Sequence, residues 1–332
     1  MSRIPAVSVI GAGSWGTALA MMMARKGRMV YLHARHEMQA NQLEEARENR
    51  TYLPGIRFPD SLGIRAGMQG LEASSGVVVA LPFQAADEQL PEVAAAGSNG
   101  PVIAACKGLH PQTLERVDEL FSRHLGRERM ALLSGPSFAR EVAEGMPTAT
   151  TMAAYDEALA VEAASLFDDT GFRIYTSTDV VGVALGGALK NVIAIAAGIA
   201  DGLRLGHNAS AALITRGLAE TSRLAETCGA TRETLNGLSG LGDLVLTCTG
   251  DLSRNRRMGQ GLARGLDVDA VKVEIGQTVE GLRTAAAARE LAHRHGIEVP
   301  IIDVVCAVID GDMTPAGAVQ YLLSRPEKAE QG

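Results

Sequence analysis

The first 180 residues alternate short apolar runs with patterns that are typical of helices. The runs predict strands at residues 8–10, 29–33, 76–81, 101–105, 130–133, 148–152 and 173–175. Near-continuous apolar strands separated by helices are typical of a parallel sheet that helices cover on both faces. We therefore expect an α/β fold with a doubly wound parallel sheet, whose ligands bind beyond the carboxyl ends of the strands.

After residue 180 the strand patterns stop and the helical pattern continues. Ala, Leu and Ile at helical spacing predict helices at residues 181–203, 209–228, 254–263, 279–295 and 301–310. We expect two domains, a sheet domain over residues 1–180 and an all-helical domain over residues 181–332. The cleft between two such domains is the expected ligand site. The charged segment 324–332 is expected to fray.

Composition and charge narrow the possible partners. The length of 332 residues suits two domains, and 46 % hydrophobic with 21 % charged residues is ordinary for a soluble globular protein. The net charge of −7 argues against nucleic acid or an anionic membrane as the main partner. A phosphorylated ligand would therefore need a locally basic pocket.

Other residue types exclude further classes. No transmembrane segment is expected, because the longest apolar region, residues 180–200, contains Lys190 and Asn191. The four scattered cysteines, without a CxxC pair or a secretory leader, predict reduced thiols in a cytoplasmic protein that begins close to Met1. The seven histidines lack metal-ligand spacing, so no metal is expected.

The most specific motif is Gly11-x-Gly13-x-x-Gly16, which follows the first strand and begins a helix. The first glycine permits the tight turn, the second lets the backbone approach a pyrophosphate, and the third allows close packing of helix on sheet. N–H groups of the first helical turn, which contains Ser14 and Trp15, favour an anion. The motif predicts a Rossmann-type dinucleotide site, and the alternative is a glycine-rich turn without a ligand.

The end of the second strand carries Ala34-Arg35-His36 where NAD-preferring sites commonly have Asp or Glu. The Arg35 guanidinium can pair with a 2′-phosphate, and no carboxylate is present there to repel that group. We therefore favour NADP(H), with NAD(H) possible. In the alternative interpretation Arg35 stacks on the adenine and accepts either cofactor.

Two lysines are the candidates for chemistry. Lys190 lies within an otherwise apolar helix, where burial would lower its pKa toward neutrality and suit it to proton transfer. Lys107 follows the strand at 101–105 and projects from the ligand edge of the sheet, where a cation could polarise a carbonyl. The alternatives are a lysine that reaches the surface or pairs with a carboxylate, and a solvated loop lysine.

Two further segments of the second domain suit a ligand. If their segment is helical, Asp243 and Thr247 share one face of the helix and could reach Lys190. In the alternative interpretation Asp243 caps the start of the helix. Ser253 resembles an N-cap, which places Arg254 and Asn255 in the first turn of a helix, where N–H groups and a guanidinium can bind a phosphate. The neighbouring Arg256 and Arg257 are expected to form surface pairs.

These segments resemble bacterial NAD(P)-dependent sn-glycerol-3-phosphate dehydrogenases from about residue 7 to residue 325. The stretches that carry the resemblance are 11–20 (GAGSWGTALA), 107–109 (KGL), 134–139 (SGPSFA), 185–195 (LGGALKNVIAI), 215–220 (TRGLAE), 240–249 (GLGDLVLTCT), 253–257 (SRNRR) and 279–281 (VEG). The resemblance implies reversible reduction of dihydroxyacetone phosphate to sn-glycerol 3-phosphate for phospholipid synthesis. The departures are Cys106, where relatives often have Thr, and Ala34-Arg35, where they have Gly-His.

The resemblance also implies roles for individual residues. Lys190 would be the acid–base group, with Lys107 and Asp243 completing the catalytic set. The residues implied to bind substrate are Lys107, Gly135, Ser137, Lys190, Asn191, Asp243, Thr247, Ser253, Arg254 and Asn255. Those expected to bind the cofactor are Gly11, Gly13, Ser14, Trp15, Gly16, Arg35, His36, Lys107, Ala139, Arg254, Thr278 and Glu280.

Two other functions fit parts of the sequence. A reductase of 2-hydroxy acids or of the ketopantoate type shares the Rossmann start and helical tail, but its acid substrate needs a carboxylate clamp. A dinucleotide-sensing module without turnover would not need a lysine in an apolar helix. The apolar helices of the second domain favour a homodimer.

Overall fold

The computed structural model describes residues 6–25, 27–98 and 100–326, and within these ranges the chain forms one eight-stranded sheet. Its strands lie in the order β3-β2-β1-β4-β5-β6-β7-β8, and neighbours are parallel except β6 and β7, which are antiparallel. The strands are β1 (Val7–Ile10), β2 (Val30–Ala34), β3 (Leu62–Ala66), β4 (Gly76–Val79), β5 (Val102–Ala104), β6 (Met130–Ser134), β7 (Thr148–Ala154) and β8 (Phe172–Ser177).

Among the described residues, six α-helices lie between the strands along the chain and nine follow the last strand, and the first of the nine packs against β6 and β7. The six are α1 (Ser14–Ala24), α2 (Glu37–Ala46), α3 (Phe83–Ala95), α4 (Val117–Leu125), α5 (Ala139–Glu144) and α6 (Glu157–Ser165). The later ones are α7 (Val180–Gly202), α8 (Gly206–Thr227), α9 (Arg232–Leu235), α10 (Asp243–Thr249), α11 (Arg254–Ala263), α12 (Val268–Ile275), α13 (Glu280–Arg294), α14 (Pro300–Asp310) and α15 (Pro315–Leu323). We call residues 6–178 the sheet region and residues 179–326 the helical region.

The predicted α/β class and Rossmann-type sheet are confirmed, with two differences. Strand β3 was not predicted, because Gly63 and Arg65 interrupt its apolar run and its edge position leaves most of the strand only half-buried. The sheet is mostly parallel, as expected, but β7 runs antiparallel to β6, and β8 is parallel to β7, so the last two strands run opposite to the other six. The short connection through α5 brings the chain back beside β6 in the opposite direction.

The predicted helices of the second half are present, with shifted ends. Helix α8 begins at Gly206 rather than at residue 209, and α13 begins at Glu280. The short helices α9, α12 and α15 were not predicted, and the conditional helix containing Asp243 is present as α10. Residues 327–332 of the expected frayed tail lie outside the described residues.

Helix α7 is the central element of the helical region. It is 23 residues long, and α8, α10, α11, α13 and α14 all pack against it. It is also the helix among the described residues that is long and apolar enough to cross a membrane, but 89 % of its most apolar window is buried inside the protein. Its exclusion from solvent here is due to the surrounding helices.

Glycines let α7 and α11 cross in backbone contact. A Cβ at Gly198 would lie 2.0 Å from the carbonyl oxygen of Arg256, and one at Gly259 would lie 2.0 Å from that of Ile195. Both positions therefore require glycine. The close crossing brings the first turn of α11, with Arg254, beside the middle of α7, where Lys190 lies.

Candidate active site

A cleft of about 1230 Å³ lies between the carboxyl ends of the strands and the helical region. Carboxyl ends of parallel strands are where open α/β sheets bind ligands, because loops and helix N-termini converge there. Most of the residues expected at the site line this cleft. They are Gly11, Gly13, Ser14, Trp15, Arg35, Lys107, Ser137, Ala139, Lys190, Asn191, Thr247, Ser253, Arg254, Asn255, Thr278 and Glu280.

The glycine-rich loop lies between β1 and α1 as the motif predicts. Gly11 has a φ of 108°, and a Cβ at Gly16 would lie 1.9 Å from the Gly11 carbonyl oxygen, so both positions exclude larger residues. A Cβ at Gly13 would meet no heavy atom within 4 Å, so the space beside the loop is open to a phosphate group. Trp15 Nε1 donates to the carbonyl oxygen of Ala105, 3.1 Å away, and ties the loop to the end of β5. The loop therefore fits a dinucleotide.

Arg35 and His36 follow β2 and differ in orientation. Arg35 is exposed and lines the cleft, with its backbone N–H bonded to the side chain of Gln39. His36 caps α2, and its Nδ1 accepts from the backbone N–H of Gln39 at 3.3 Å. Arg35 is therefore placed to contact a ligand directly, whereas His36 holds the turn that presents it.

Two lysines from different regions, both lining the cleft, meet at one buried carboxylate, that of Asp243, which does not itself line the cleft. Lys107 Nζ donates to Oδ2 of Asp243 at 2.5 Å, and Lys190 Nζ donates to Oδ1 of the same side chain. Lys190 also donates to the Thr247 hydroxyl at 3.0 Å. Asp243 is only 1 % exposed, so its charge is shielded from water and acts fully on the two ammonium groups. The carboxylate holds both lysines in fixed positions.

The cluster shifts the pKa values of its members in opposite directions. Burial lowers the pKa of Lys190 to about 7, with Lys107 adding to the decrease and Asp243 opposing it. Burial alone would raise the pKa of Asp243, but the positive charges of Lys107 and Lys190 outweigh it and lower that pKa. Lys190 can therefore exchange a proton near neutral pH while Asp243 remains charged.

A turn of π-helix places Asp243. Residues Leu238–Gly242 form this turn immediately before α10, and π-helical turns are frequent at functional sites. In α10 the Thr247 hydroxyl donates to the Asp243 carbonyl oxygen at 2.6 Å, one helical turn back. Asp243 and Thr247 thus share one face of α10, as predicted, and both point at Lys190.

Gly135 and Ser137 belong to the loop after β6. Lys107 Nζ lies 3.4 Å from the Gly135 carbonyl oxygen, which also accepts from the Ser137 hydroxyl at 3.0 Å. Gly135 therefore acts through its backbone beside Lys107. Ser137 and Ala139 reach the cleft wall from the sheet side.

The helical side of the cleft is built around the start of α11. The Ser253 hydroxyl accepts from the Arg256 N–H at 3.2 Å and caps the helix, as predicted. The guanidinium of Arg254 donates to the Thr278 carbonyl oxygen at 2.8 Å. Burial raises the pKa of Glu280, and the nearby Arg254 opposes that increase. A guanidinium at a capped helix N-terminus can bind a phosphate group.

An amide relay connects three helices behind this wall. Asn255 Nδ2 donates to Asn191 Oδ1 at 2.8 Å, and Asn255 Oδ1 accepts from the Gly281 N–H at 3.0 Å. Asn255 is 8 % exposed, so one edge of its side chain remains at the cleft. The relay fixes α7, α11 and α13 relative to one another at the site.

Several residues of the cleft were not predicted from the sequence. Tyr52, Leu53 and Pro54 line it from the loop between α2 and β3, and no motif indicates that loop. Further basic residues also line the cleft. Among its described lining residues, eight are Arg or Lys and three are Asp or Glu. The missed basic residues are Arg140, Lys272 and Arg283. Arg256 forms the expected ion pairs, with Asp201 and Asp251, whereas Arg257 lines the cleft and donates to the Glu274 carbonyl oxygen. A protein of net charge −7 therefore has a basic cleft.

Three features define a nicotinamide-dinucleotide-dependent dehydrogenase with an α-helical second half. They are the Rossmann-type sheet, its glycine-rich loop and the opposing helical region. Residues 6–160 match the family model of the NAD-dependent glycerol-3-phosphate dehydrogenase N-terminus, and residues 179–320 match that of the C-terminus. The chain belongs to the NAD-dependent glycerol-3-phosphate dehydrogenase family, and it is an oxidoreductase.

Individual relatives agree with this assignment. A glycerol-3-phosphate dehydrogenase [NAD(P)+] from Xanthomonas euvesicatoria is 46 % identical over 98 % of this chain and 96 % of its own length. One from Anaeromyxobacter dehalogenans is 46 % identical over 97 % of this chain and 99 % of its own. The crystal structure of glycerol-3-phosphate dehydrogenase from Coxiella burnetii has a TM-score of 0.91 at 39 % identity, covering 97 % of this chain and 99 % of that one.

Proposed function

We propose that the cleft interconverts dihydroxyacetone phosphate and sn-glycerol 3-phosphate, with Lys190 as the acid–base group, and that the product feeds phospholipid synthesis. The observation that carries this proposal is the buried ammonium of Lys190, held at the bottom of the cleft by Asp243 and Thr247. When bound, the reduced nicotinamide supplies the hydride. In the reductive direction Lys190 gives its proton to the C2 oxygen of the substrate, and in the oxidative direction it takes that proton back.

The neighbouring residues bind and polarise the substrate. The ammonium of Lys107 orients the substrate oxygen, because Asp243 and the Gly135 carbonyl hold it beside Lys190. Arg254 binds the substrate phosphate with the first-turn N–H groups of α11, and Asn191, Asn255, Ser137 and Ser253 complete the pocket. The basic lining of the cleft supports a phosphorylated substrate.

The sheet side of the same cleft would hold the cofactor. The glycine-rich loop of Gly11, Gly13, Ser14 and Trp15 would hold its pyrophosphate, with Gly16 packed against the loop. The residues that would hold its nicotinamide end are Ala139, Lys107, Thr278, Glu280 and Arg254. At the adenosine end Arg35, held by the turn at His36, favours NADP(H) over NAD(H) because its guanidinium can pair with a 2′-phosphate.

The first experiment measures initial rates with dihydroxyacetone phosphate and either NADPH or NADH. We expect turnover with both cofactors and a lower KM for NADPH. Substitution Arg35→Ala should raise the KM for NADPH more than that for NADH. An equal rise for both would show that Arg35 stacks on the adenine, and a chain without turnover would overturn the proposed reaction.

The second experiment replaces the acid–base group. We expect Lys190→Ala to reduce kcat by about 10²–10⁴-fold, as for other general acid–base groups, while NADPH binding is nearly unchanged. The matched control is Arg294→Ala, which removes a surface ion pair with Glu290 and should leave kcat as it is. A Lys190→Ala enzyme that keeps its rate would contradict the assignment.

We also propose that the chain forms two domains over residues 1–180 and 181–332, is cytoplasmic and assembles as a homodimer. Exposed apolar side chains on the helical region support the dimer, among them Leu205, Val273 and Leu323. Sedimentation equilibrium measures the assembly directly. A particle of 34.8 kDa, the mass of one chain, at all concentrations would contradict the dimer.

A further inference from the structure

The buried side chain of Asn49 has all its hydrogen-bonding groups in use at the glycine-rich loop. It is 2 % exposed and lies in the loop between α2 and β3. Its Nδ2 donates to the carbonyl oxygen of Ala12 at 3.0 Å and to the hydroxyl of Thr17 at 2.8 Å. Its Oδ1 accepts from the backbone N–H of Tyr52 at 3.2 Å. One amide thus bonds to the glycine-rich loop, to the first helix after it and to its own loop.

The loop that begins at Asn49 extends along the cleft. The Leu53 N–H donates to the Asn49 carbonyl oxygen at 2.8 Å, so the loop turns directly after this residue. Leu53 is buried against the core of the sheet region, and the cleft wall includes Tyr52, Leu53 and Pro54. At its far side, the Pro54 carbonyl oxygen accepts from the Arg140 guanidinium at 3.2 Å. The loop therefore connects the glycine-rich loop to the start of α5.

We propose that Asn49 is a positioning residue for the cofactor, because it fixes the carbonyl of Ala12 and so aims the N–H groups of the glycine-rich loop at a pyrophosphate. This inference rests on the proposed dinucleotide site. Glycine lowers the steric restriction on a loop and leaves it free to adopt other conformations. Two hydrogen bonds from a buried amide restrict that freedom before the ligand arrives, which lowers the entropic cost of binding.

The test uses Asn49→Asp, which keeps the size of the side chain and the acceptor for Tyr52 but replaces the donor with an oxygen that faces the Ala12 carbonyl. The Kd values of NADH, ADP and adenosine are measured for the full-length protein. We expect the Kd of NADH and ADP to rise on the order of ten-fold or more, because Asp cannot donate to Ala12 or to Thr17, with the Kd of adenosine unchanged. The KM for NADH should rise with them while kcat at saturating NADH stays close to wild type.

The control is Ser74→Ala, which removes a buried hydrogen bond to Ser8 in the same region without touching the glycine-rich loop. It should lower stability without changing the Kd of ADP. If Asn49→Asp does not fold, Thr17→Val removes one of the two acceptors and should raise the same Kd values by a smaller factor. Equal losses for adenosine and ADP, or an unchanged Kd for NADH in a folded variant, would overturn the inference. Wild-type protein that binds neither NADH nor NADPH would instead overturn the proposed function.

Discussion

The pKa of Lys190 depends on the burial of its side chain. In water an ammonium is charged well above neutral pH, but burial lowers the pKa of Lys190 to about 7. The protonated amine is the proton donor for reduction, and the neutral amine is the base for oxidation. We therefore expect reduction of dihydroxyacetone phosphate to be fastest below pH 7 and to slow as pH rises through about 7, with oxidation changing in the opposite direction.

Initial rates in both directions across pH 5.5–9 (a range of about two units around that pKa) measure this behaviour. Lys190→Arg serves as the control, because a guanidinium stays protonated throughout and should abolish the inflection. An inflection near pH 7 that persists in this variant would assign it to another group.

Asp243 determines where that inflection lies. Its carboxylate is the main influence that raises the pKa of Lys190, so Asp243→Asn leaves two ammonium groups facing each other without a counter-charge. We expect the inflection of the reductive pH profile to move to lower pH and kcat at pH 7 to fall on the order of 100-fold. An inflection that stays in place would contradict the proposed role of the carboxylate.

At the scale of the helices, the crossing of α7 and α11 sets the distance between Lys190 and Arg254, which we propose bind the two ends of the substrate. Gly259→Ala places a Cβ against the Ile195 carbonyl and must push the helices apart. We expect a loss of about 1–3 kcal/mol in the free energy of unfolding, and a higher KM for dihydroxyacetone phosphate because Arg254 moves with α11. Urea denaturation and steady-state kinetics measure the two effects.

The matched control for this crossing is Ala212→Gly, on an exposed face of α8. It should cost about 1 kcal/mol of stability through helix propensity alone. Its KM should remain that of the wild type. If both variants lose stability while neither changes KM, the crossing does not position Arg254 for the substrate.

At the scale of the whole molecule, net charge and local charge have opposite signs. The chain carries −7, whereas Arg and Lys dominate the cleft lining. Charges separated by more than about 10 Å are screened at 0.1 M salt, so the field at the cleft mouth is dominated by nearby basic residues. We expect kcat/KM for dihydroxyacetone phosphate to fall as ionic strength rises, with kcat nearly constant. A value of kcat/KM that rises with salt would mean that the net charge dominates the approach of the substrate.

The sequence alone determined the features that depend on local patterns. Apolar runs and helical spacing located seven of the eight strands of the described sheet and the five longer helices of the second half, and the glycine motif located the turn between β1 and α1. Burial of Lys190 was predicted from its apolar neighbours, because a helix without a polar face must be enclosed. The missed strand β3 lacks such a pattern, since Gly63 and Arg65 interrupt it.

Only the tertiary structure decided which of these residues meet. Lys107, Lys190 and Asp243 are far apart in sequence, and their contact depends on the packing of α7 and α10 against the end of the sheet. The reversed direction of β7 and β8 and the bonds from Asn49 to the glycine-rich loop also arise from non-local pairing, which no single segment encodes. Local hydrophobic periodicity is set by a few neighbouring residues, whereas the geometry of the site is set by how separate elements pack together.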